Sequence, residues 1–321
     1  MKFDYIIGNP PYQMEDGGAG ASATPVYNKF IGAVKELDPS VLSLIIPAKW
    51  YSGGKGLDQF RQEMLNDSHI RRLADYTNSL DVFPDADIAG GVCIFVRDKS
   101  YEGGGCHYSN THNGITTKCQ RKLDMFDTFI RYPLAESIIE KTTALKEITL
   151  TDFVSTQKPF GLRTYVKPST EGELLLRYNK GVGPFRKEDV TAGFDMIDKW
   201  KIIISYLSAE HAGQPDKNGQ FRILSTTEKL PPKSICTETY LVAGAFDTEA
   251  EADNYMAYLK TKFVRFLLAQ VVVTQHISKA SFVFVPAQDF TKQWTDEELF
   301  KKYKLTSEEI AFINNMIKEM N

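Results

Sequence analysis

The residues with the clearest chemical potential form a short turn near the start of the chain. The apolar stretch YIIG at 5–8 runs directly into Asn9, Pro10, Pro11 and Tyr12. The amide oxygen of Asn9 and the carbonyl of Pro10 are hydrogen-bond acceptors, and Tyr12 offers a flat ring for stacking. Because proline fixes its own φ and restricts the residue before it, both acceptors would be in place before a ligand arrives. Such a turn can hold an amino group on a planar ring; the plain alternative is a proline-stiffened turn without a function.

The segments around this turn alternate in the manner of an α/β sheet. A continuous apolar run predicts a strand at 41–46, and 70–76 and 88–96 are two further strand candidates, the last of them weakened by Gly90 and Gly91. Amphipathic spacing predicts helices over 26–37 and 57–65. We therefore expect the turn to follow a strand of a layered α/β domain.

The later part of the chain has a mixed pattern. The polar stretch 101–122 predicts either a domain boundary or a long hairpin. Beyond it we expect strands at 200–207 and 235–243 and one helix over 249–270. Thr295 with Glu298, and Thr306 with Glu309, have the spacing of capping boxes and predict two final helices. The expected domains are 1–123 and 124–321, the second with a mixed α+β fold.

Composition narrows the class of protein. The 321 residues are 42% hydrophobic and carry a net charge of -3, so a nucleic-acid partner would contact local basic patches rather than a uniformly basic surface. The chain has no apolar run of membrane-spanning length and no signal-peptide pattern, which favours the cytoplasm. Four unevenly spaced cysteines predict reduced thiols, and Cys106, His107, His112 and Cys119 lack the usual zinc spacing, so we expect no metal.

Four stretches, in this order, resemble the DNA amino-methyltransferases of restriction-modification systems. The turn NPPY at 9–12, after its strand, resembles the catalytic motif of that family. IIPAKW at 45–50, LDQFRQEML at 57–65 and DVFPDADIAGGVCIF at 81–95 are similar to later segments of the adenine-N6 branch. The same turn can present adenine N6 or cytosine N4, and the later segments favour adenine.

The resemblance implies transfer of a methyl group from S-adenosylmethionine to a base flipped out of double-stranded DNA. Asn9, Pro10, Pro11 and Tyr12 would form the catalytic turn, and Tyr12 and Phe83 would stack on the two faces of the target base. Residues 1–123 would be the rear part of a Rossmann-like methyltransferase sheet. Residues 124–321 would be the domain that recognises the DNA target.

The cofactor site is expected to be mostly missing from these residues. Members of the adenine-N6 branch carry a strand, a Gly-rich turn and an acidic partner before the catalytic turn. Eight residues precede Asn9 here, and the glycine stretches KGVGPF at 180–185 and VAGAF at 242–246 predict a loop and a strand end instead. We therefore expect an N-terminal half to be supplied in cis or in trans, and the chain to be inactive without it.

The second domain contains most of the candidate DNA contacts. Basic residues that could face phosphates are Lys49, Lys158, Arg163, Lys167, Arg186, Lys187 and Lys279, although a basic residue taken singly is more often a solvated surface charge. The favoured function is therefore the catalytic and recognition portion of an adenine-N6 methyltransferase. The alternative is a non-catalytic DNA-binding specificity subunit, or a degenerate remnant of a restriction-modification enzyme.

Overall fold

The computed structural model describes residues 3–14, 24–54, 56–112, 114–209, 215–216, 218–272 and 276–320. The chain divides into two compact units, Met1–Pro133 and Leu134–His211 with Pro215–Asn321. Among the described residues, no helix combines the length and the apolar character that a membrane crossing requires.

The first unit is built on a six-stranded mixed sheet. Its described strands are β1 Tyr5–Gly8, β2 Gln13–Met14, β3 Thr24–Pro25, β4 Val41–Pro47, β5 Ile70–Tyr76, β6 Val92–Asp98, β7 Cys106–His112 and β8 Ile115–Arg121, and its helices are α1 Tyr27–Glu36 and α2 Asp58–Leu65. The sheet order is β1-β4-β6-β5-β7-β8, and β2 pairs with β3 separately. β1 is parallel to β4 and β5 to β7, whereas β6 is antiparallel to both of its neighbours. The predicted α/β class is confirmed.

The core of this unit lies on one face of the sheet. Tyr27 and Ile31 of α1 and Phe60 of α2 are buried together with the inward residues of the strands. The rings of Tyr27 and Phe60 meet edge to face with their centroids 5.8 Å apart. The amphipathic spacing that predicted both helices thus corresponds to the stripe that each buries on the sheet.

One prediction for this unit is wrong in its bounds, and one pair of predicted alternatives is settled. The strand predicted from 88 begins at Val92, because Gly90 and Gly91 adopt left-handed backbone with φ of 84° and 78°. A Cβ on Gly91 would lie 2.1 Å from the carbonyl oxygen of Tyr76, so this close approach admits only glycine. The polar stretch 101–122 is a hairpin inside the unit, formed by β7 and β8, rather than a domain boundary.

The second unit has an α+β fold with two small sheets. Its described strands are β9 Leu174–Tyr178, β10 Gly181–Phe185, β11 Trp200–Ser205, β12 Thr227–Leu230, β13 Ser234–Cys236 and β14 Tyr240–Phe246. The helices are α3 Pro133–Thr143, which begins at the boundary, α4 Glu249–Lys260, α5 Lys262–Ala269, α6 Asp296–Lys302 and α7 Ser307–Met316. The sheets have the orders β10-β9-β13 and β12-β11-β14.

The prediction of one helix over 249–270 is wrong. Thr261 separates α4 from α5 with extended backbone, and its hydroxyl accepts from Val264 N. The carboxylate of Asp296 accepts from the amides of Lys262 and Phe263, so these two backbone donors at the start of α5 are satisfied. The capping boxes at Thr295 and Thr306 are confirmed at the starts of α6 and α7.

Candidate functional site

Three loops that carry the predicted site residues leave the same edge of the first sheet. β1 is parallel to β4, and β5 has the same direction because both β4 and β5 are antiparallel to β6. The carboxyl ends of β1, β4 and β5 therefore point to one edge, where open α/β sheets form their sites. The turn at 9–12, the 3-10 helix Ala48–Tyr51 and the loop that contains Phe83 follow these three strands. β1 and β5 are three strand spacings apart, about 14 Å, so the Phe83 loop must reach across β6 and β4 to meet the turn.

The turn at 9–12 is held at both ends. β1 precedes it, and Val26 N donates to the carbonyl of Tyr12 at 3.1 Å just before α1 begins. Pro10 is buried, whereas Asn9 and Pro11 are exposed. The rigid part of the turn is thus fixed in the protein, and the Asn9 amide is accessible from solvent.

The hydroxyl end of Tyr12 is buried. Its ring is half-buried, and the hydroxyl is buried without a hydrogen-bond partner among the described residues. Burial, and secondarily the nearby Cys93 thiol, raise the pKa of Tyr12 to about 12. Burial, and secondarily Cys93, also raises the pKa of Tyr27, and burial, Asp75 and Cys93 together raise the pKa of Tyr51. The hydroxyl end of Tyr12 therefore lies in the interior, near the buried Cys93 thiol.

Phe83 lies on a loop that a single buried serine organises. The Ser79 hydroxyl donates to the carbonyl of Ala86 at 2.8 Å and accepts from Ile88 N at 2.7 Å. The amide of Phe83 donates to the Ser79 carbonyl at 2.8 Å. Gly91, at the end of the loop, accepts from Ala48 N at 3.0 Å, which connects it to the turn after β4. The half-buried Phe83 is consequently held by a fixed loop.

A buried ion pair between Asp75 and Arg131, which the sequence did not predict, supports this edge. Arg131 donates to both carboxylate oxygens of Asp75, at 2.8 and 2.6 Å, and Tyr108 and Asn110 donate to Oδ2 at 3.1 and 2.6 Å. Arg131 also donates to the carbonyl of Gly90 at 2.8 Å, within the Phe83 loop. Burial alone would lower the pKa of Arg131, but the Asp75 carboxylate outweighs it and raises that pKa above the ordinary value. In the sequence, the indication of this ion pair was Asp75 itself, because it is an acidic residue at an inward-facing position of the strand IRRLADY.

The basic candidates separate into several groups. Lys49 is half-buried in the 3-10 helix after β4, at the edge that carries the turn. Lys158, Arg163, Lys167, Arg186 and Lys187 lie before and after the β9–β10 hairpin of the second unit. Arg163 lies 3.6 Å from Glu238, and Arg186 lies 3.7 Å from Glu171 and 3.8 Å from Glu188. Lys279 begins a separate 3-10 helix, Lys279–Phe282, and shows no contact with the others among the described residues.

Tyr165 is a further exposed residue in this part of the second unit. It stands between Arg163 and Lys167 and is 80% exposed. Two backbone hydrogen bonds hold this segment. Val166 N donates to the Arg163 carbonyl, and Glu238 N donates to the carbonyl of Leu162. An exposed aromatic ring between two cations is typical of single-stranded or distorted nucleic-acid contacts. The sequence RTYVK shows this tyrosine between two basic residues, but a single tyrosine in a loop is weak evidence for a binding site.

The two glycine stretches do not form a cofactor cradle. KGVGPF supplies β10, and VAGAF lies within β14. A Cβ on Gly244 would meet the ring atoms of Phe246 at 2.8 Å and Tyr255 at 3.0 Å, so aromatic side chains already occupy the space beside this glycine. A Cβ on Gly183 would likewise lie 2.6 Å from Pro168, whereas Gly181 has open space around it. Both stretches lie within strands and neither is a Gly-rich turn between a strand and a helix, so they do not fit the methionine or the ribose of S-adenosylmethionine.

Comparison with known proteins bears on the part of the chain that contains the turn and the Phe83 loop. Residues 1–83 match the family model of the Eco57I restriction-modification methylase. An uncharacterized adenine-specific methylase of Mycoplasma pneumoniae is 36% identical over 106 residues, which are 32% of this chain and 25% of the relative. The resemblance to adenine-specific restriction-modification methyltransferases is therefore confirmed for this Eco57I-type segment. The chain spans about a quarter of the length of the curated relative it matches.

Solved structures give more distant likenesses. The type IIG restriction endonuclease BpuSI is 10% identical, with 93% of this chain and 50% of that protein covered and a TM-score of 0.34. The type IIL restriction-modification enzyme MmeI, solved in complex with DNA, is 9% identical, with 99% and 55% covered and a TM-score of 0.44. Both TM-scores lie below 0.5.

Proposed function

We propose that this chain is the base-holding and DNA-recognition portion of an adenine-N6 DNA methyltransferase from a restriction-modification system. The observation that carries the proposal is the NPPY turn at the carboxyl end of β1, inside the Eco57I-type segment, on the same sheet edge as the Phe83 loop. The substrate is double-stranded DNA, and the methyl donor is S-adenosylmethionine. The proposed compartment is the cytoplasm, where this DNA would be met.

The turn prepares the amine for reaction by holding its hydrogens. Adenine N6 is a weak nucleophile because its lone pair is delocalised into the ring. Asn9 Oδ1 and the Pro10 carbonyl accept the two amino hydrogens, so that the lone pair is directed out of the ring plane. Pro10 is buried and the turn is tied to α1 through Tyr12, so the acceptors need no reorganisation when the base arrives.

The base itself must leave the duplex to reach the turn. Tyr12 stacks on one face of the flipped adenine, with its hydroxyl end buried near Cys93. Phe83 covers the other face from the loop that Ser79 and Arg131 hold. Stacking of this kind contributes about 1–3 kcal/mol per base.

The second unit supplies recognition of the target sequence. Lys158, Lys167, Lys187 and Lys279 are the candidate phosphate contacts for which the described residues show no ion pair. Arg163 and Arg186 already face carboxylates, and Lys49 already has an interaction within the chain. Tyr165 is added to this set as an exposed aromatic contact. Because the glycine stretches do not fit the cofactor, an N-terminal methyltransferase half, in cis or in trans, provides the S-adenosylmethionine site.

Transfer of labelled methyl groups to unmethylated bacterial DNA tests the proposal. The chain is assayed alone and together with the S-adenosylmethionine-binding half of an Eco57I-family methylase, and digested DNA is analysed for N6-methyladenine and N4-methylcytosine. We expect N6-methyladenine only when both polypeptides are present. Asn9→Ala should lower the rate about 100- to 1000-fold, as loss of one preorganised hydrogen-bonding group does, whereas Asn66→Ala, on the exposed end of α2, should leave it unchanged.

Two results would contradict the proposal in different ways. Sequence-specific DNA binding without methylation, with both polypeptides present, would favour a non-catalytic specificity subunit. Methylation by the chain alone would show that a cofactor site lies within these 321 residues.

A further inference from the structure

A short loop at 163–165 projects from the core of the second unit. Leu162 before the loop is buried, and Val166 after it packs against the same hydrophobic core. The amide of Val166 donates to the carbonyl of Arg163 at 3.1 Å, which closes the loop at its base. Arg163, Thr164 and Tyr165 are therefore three consecutive exposed residues on a closed loop.

Glu238, in the turn between β13 and β14, holds this loop through three contacts. Its amide donates to the carbonyl of Leu162 at 2.9 Å. Its Oε1 accepts from the amide of Thr164 at 3.1 Å, and its Oε2 lies 3.6 Å from the guanidinium of Arg163. The side chain of Glu238 is 13% exposed and that of Arg163 is 55% exposed. A largely buried carboxylate, itself fixed to the backbone of the loop, thus orients an exposed guanidinium.

The other arginine among the basic candidates has a different environment. Arg186 lies 3.7 Å from Glu171 and 3.8 Å from Glu188, and these two carboxylate side chains are 81% and 74% exposed. Ion pairs between exposed side chains contribute little to stability and are screened by salt. Arg186 can therefore exchange its partners for a phosphate, whereas Arg163 is held in one direction.

The pairing of Arg163 with a carboxylate suits a base edge better than a phosphate. A phosphate at the same place would be repelled by Glu238, since like charges at short distance disfavour each other. The major-groove edge of guanine is uncharged, and its O6 and N7 accept two N–H groups of one guanidinium. The guanidinium of Arg163 has five N–H groups and shows no partner other than Glu238 among the described residues, so donors remain for a base.

We propose that Arg163 is a specificity-determining residue that reads the major-groove edge of a guanine in duplex DNA, with Glu238 as the positioning residue that directs it. Lys158 and Lys167, on either side of the loop in sequence, hold phosphates instead. The inference rests on the proposed function, because that function assigns DNA recognition to the second unit, but it does not depend on methyl transfer. It replaces a phosphate contact at Arg163 with a direct contact to one base.

The test selects duplexes from a randomised DNA library with the full chain, alone and with the S-adenosylmethionine-binding half of an Eco57I-family methylase, and sequences the duplexes that bind. We expect a motif that contains an invariant G·C pair. Arg163→Ala should reduce the preference for guanine at that pair about 5- to 150-fold and leave the other positions unchanged. Arg186→Ala should instead weaken binding to all duplexes alike and lower its salt dependence.

A modified base tests the contact itself. Replacement of the invariant guanine by 7-deazaguanine removes the N7 acceptor, so it should weaken binding by the unmodified chain. The same replacement should not weaken binding by Arg163→Ala any further, because the group that contacts N7 is already absent.

Glu238→Gln tests the positioning role. The amide keeps the size of the side chain and an oxygen for the Thr164 N–H, but it lacks the charge that orients Arg163. It should lower the guanine preference about fivefold without loss of affinity for random DNA, because a negative charge is removed. The matched control is Glu188→Gln, an exposed carboxylate beside Arg186, which should leave the motif unchanged. If Glu238 only stabilised the fold, its variant would lose affinity for every sequence and melt at a lower temperature.

Several results would overturn the inference. An unchanged motif with Arg163→Ala would leave this arginine without a base contact, and a uniform loss of affinity with a smaller salt dependence would make it a phosphate contact. Equal binding of the guanine and 7-deazaguanine duplexes, or no selected motif with or without the second polypeptide, would contradict it as well. Asn9→Ala should select the same motif, so selection without methylation would remove the proposed methyl transfer and leave the assignment of Arg163 intact.

Discussion

Separation of the Asp75–Arg131 pair should destabilise the first unit by a large and predictable amount. In Arg131→Met, the Asp75 carboxylate stays buried and keeps only Tyr108 and Asn110 as donors. In Asp75→Asn, the buried guanidinium loses its counter-charge and keeps the carbonyls of Gly90 and Tyr76. Removal of one partner from a buried ion pair costs about 3–5 kcal/mol. For a unit of this size that corresponds to a fall in Tm of about 10–20 °C.

The double variant, Asp75→Asn with Arg131→Met, distinguishes the contribution of the ion pair to stability from that of side-chain packing. It leaves no uncompensated charge, so its loss in free energy of unfolding should be smaller than the sum of the two single losses by about 2–3 kcal/mol. Trp50 is fully buried in the first unit, so urea unfolding can be followed by its fluorescence after Trp200→Phe and Trp294→Phe. Additive losses, or single losses below about 1 kcal/mol, would refute the assignment of Arg131 as the anchor of this edge.

Three further predictions concern separate features. Gly91→Ala should destabilise the first unit by more than the roughly 1–2 kcal/mol of a left-handed alanine, because its Cβ would meet Tyr76 O, whereas Gly54→Ala, with similar φ and open space, should cost only that amount; urea unfolding of both compares them. The pKa of Glu309 is lowered by Lys141, Ser137 and the Thr306 amide, which outweigh burial; stability from this carboxylate is therefore present above the unfolded pKa of 4.5 and lost as pH falls through the folded pKa. Glu309→Gln keeps the cap, so its unfolding midpoint should depend less on pH below 4.5 than that of the unmodified chain. Tyr165→Ala should weaken duplex DNA binding about tenfold in fluorescence anisotropy, with Leu145→Ala, another exposed apolar residue, as the control; equal affinity of both variants would exclude a DNA contact at Tyr165.

The local sequence was sufficient where one residue type dictates one backbone or one face. Strand β5 was predicted with its observed bounds, and both capping boxes begin their helices at the predicted threonines. The rigid NPPY turn was likewise predicted after a strand, since prolines act on their immediate neighbours. These features depend on interactions within a few residues.

The features that were missed depend on contacts between distant residues. Apolar spacing continues from α4 into α5, and the break at Thr261 is stabilised by Asp296, 35 residues further along the chain. Arg131 acts on Asp75 and Gly90, which lie far from it in sequence. The exposure of Ile7 was also unpredictable, because YIIG has the composition of a buried strand.

The hydrogen bonds that hold the loops of Tyr12 and Phe83 come from Val26, Ser79, Ala48 and Arg131, all within the first unit. Six of the seven basic candidates and Tyr165 belong to the second unit. Under the proposed function, the residues that hold the base and those that select the DNA sequence are thus encoded in separate stretches of the gene. Recombination near the codons for residues 124–133 would exchange target specificity while the hydrogen bonds around the flipped base are inherited unchanged.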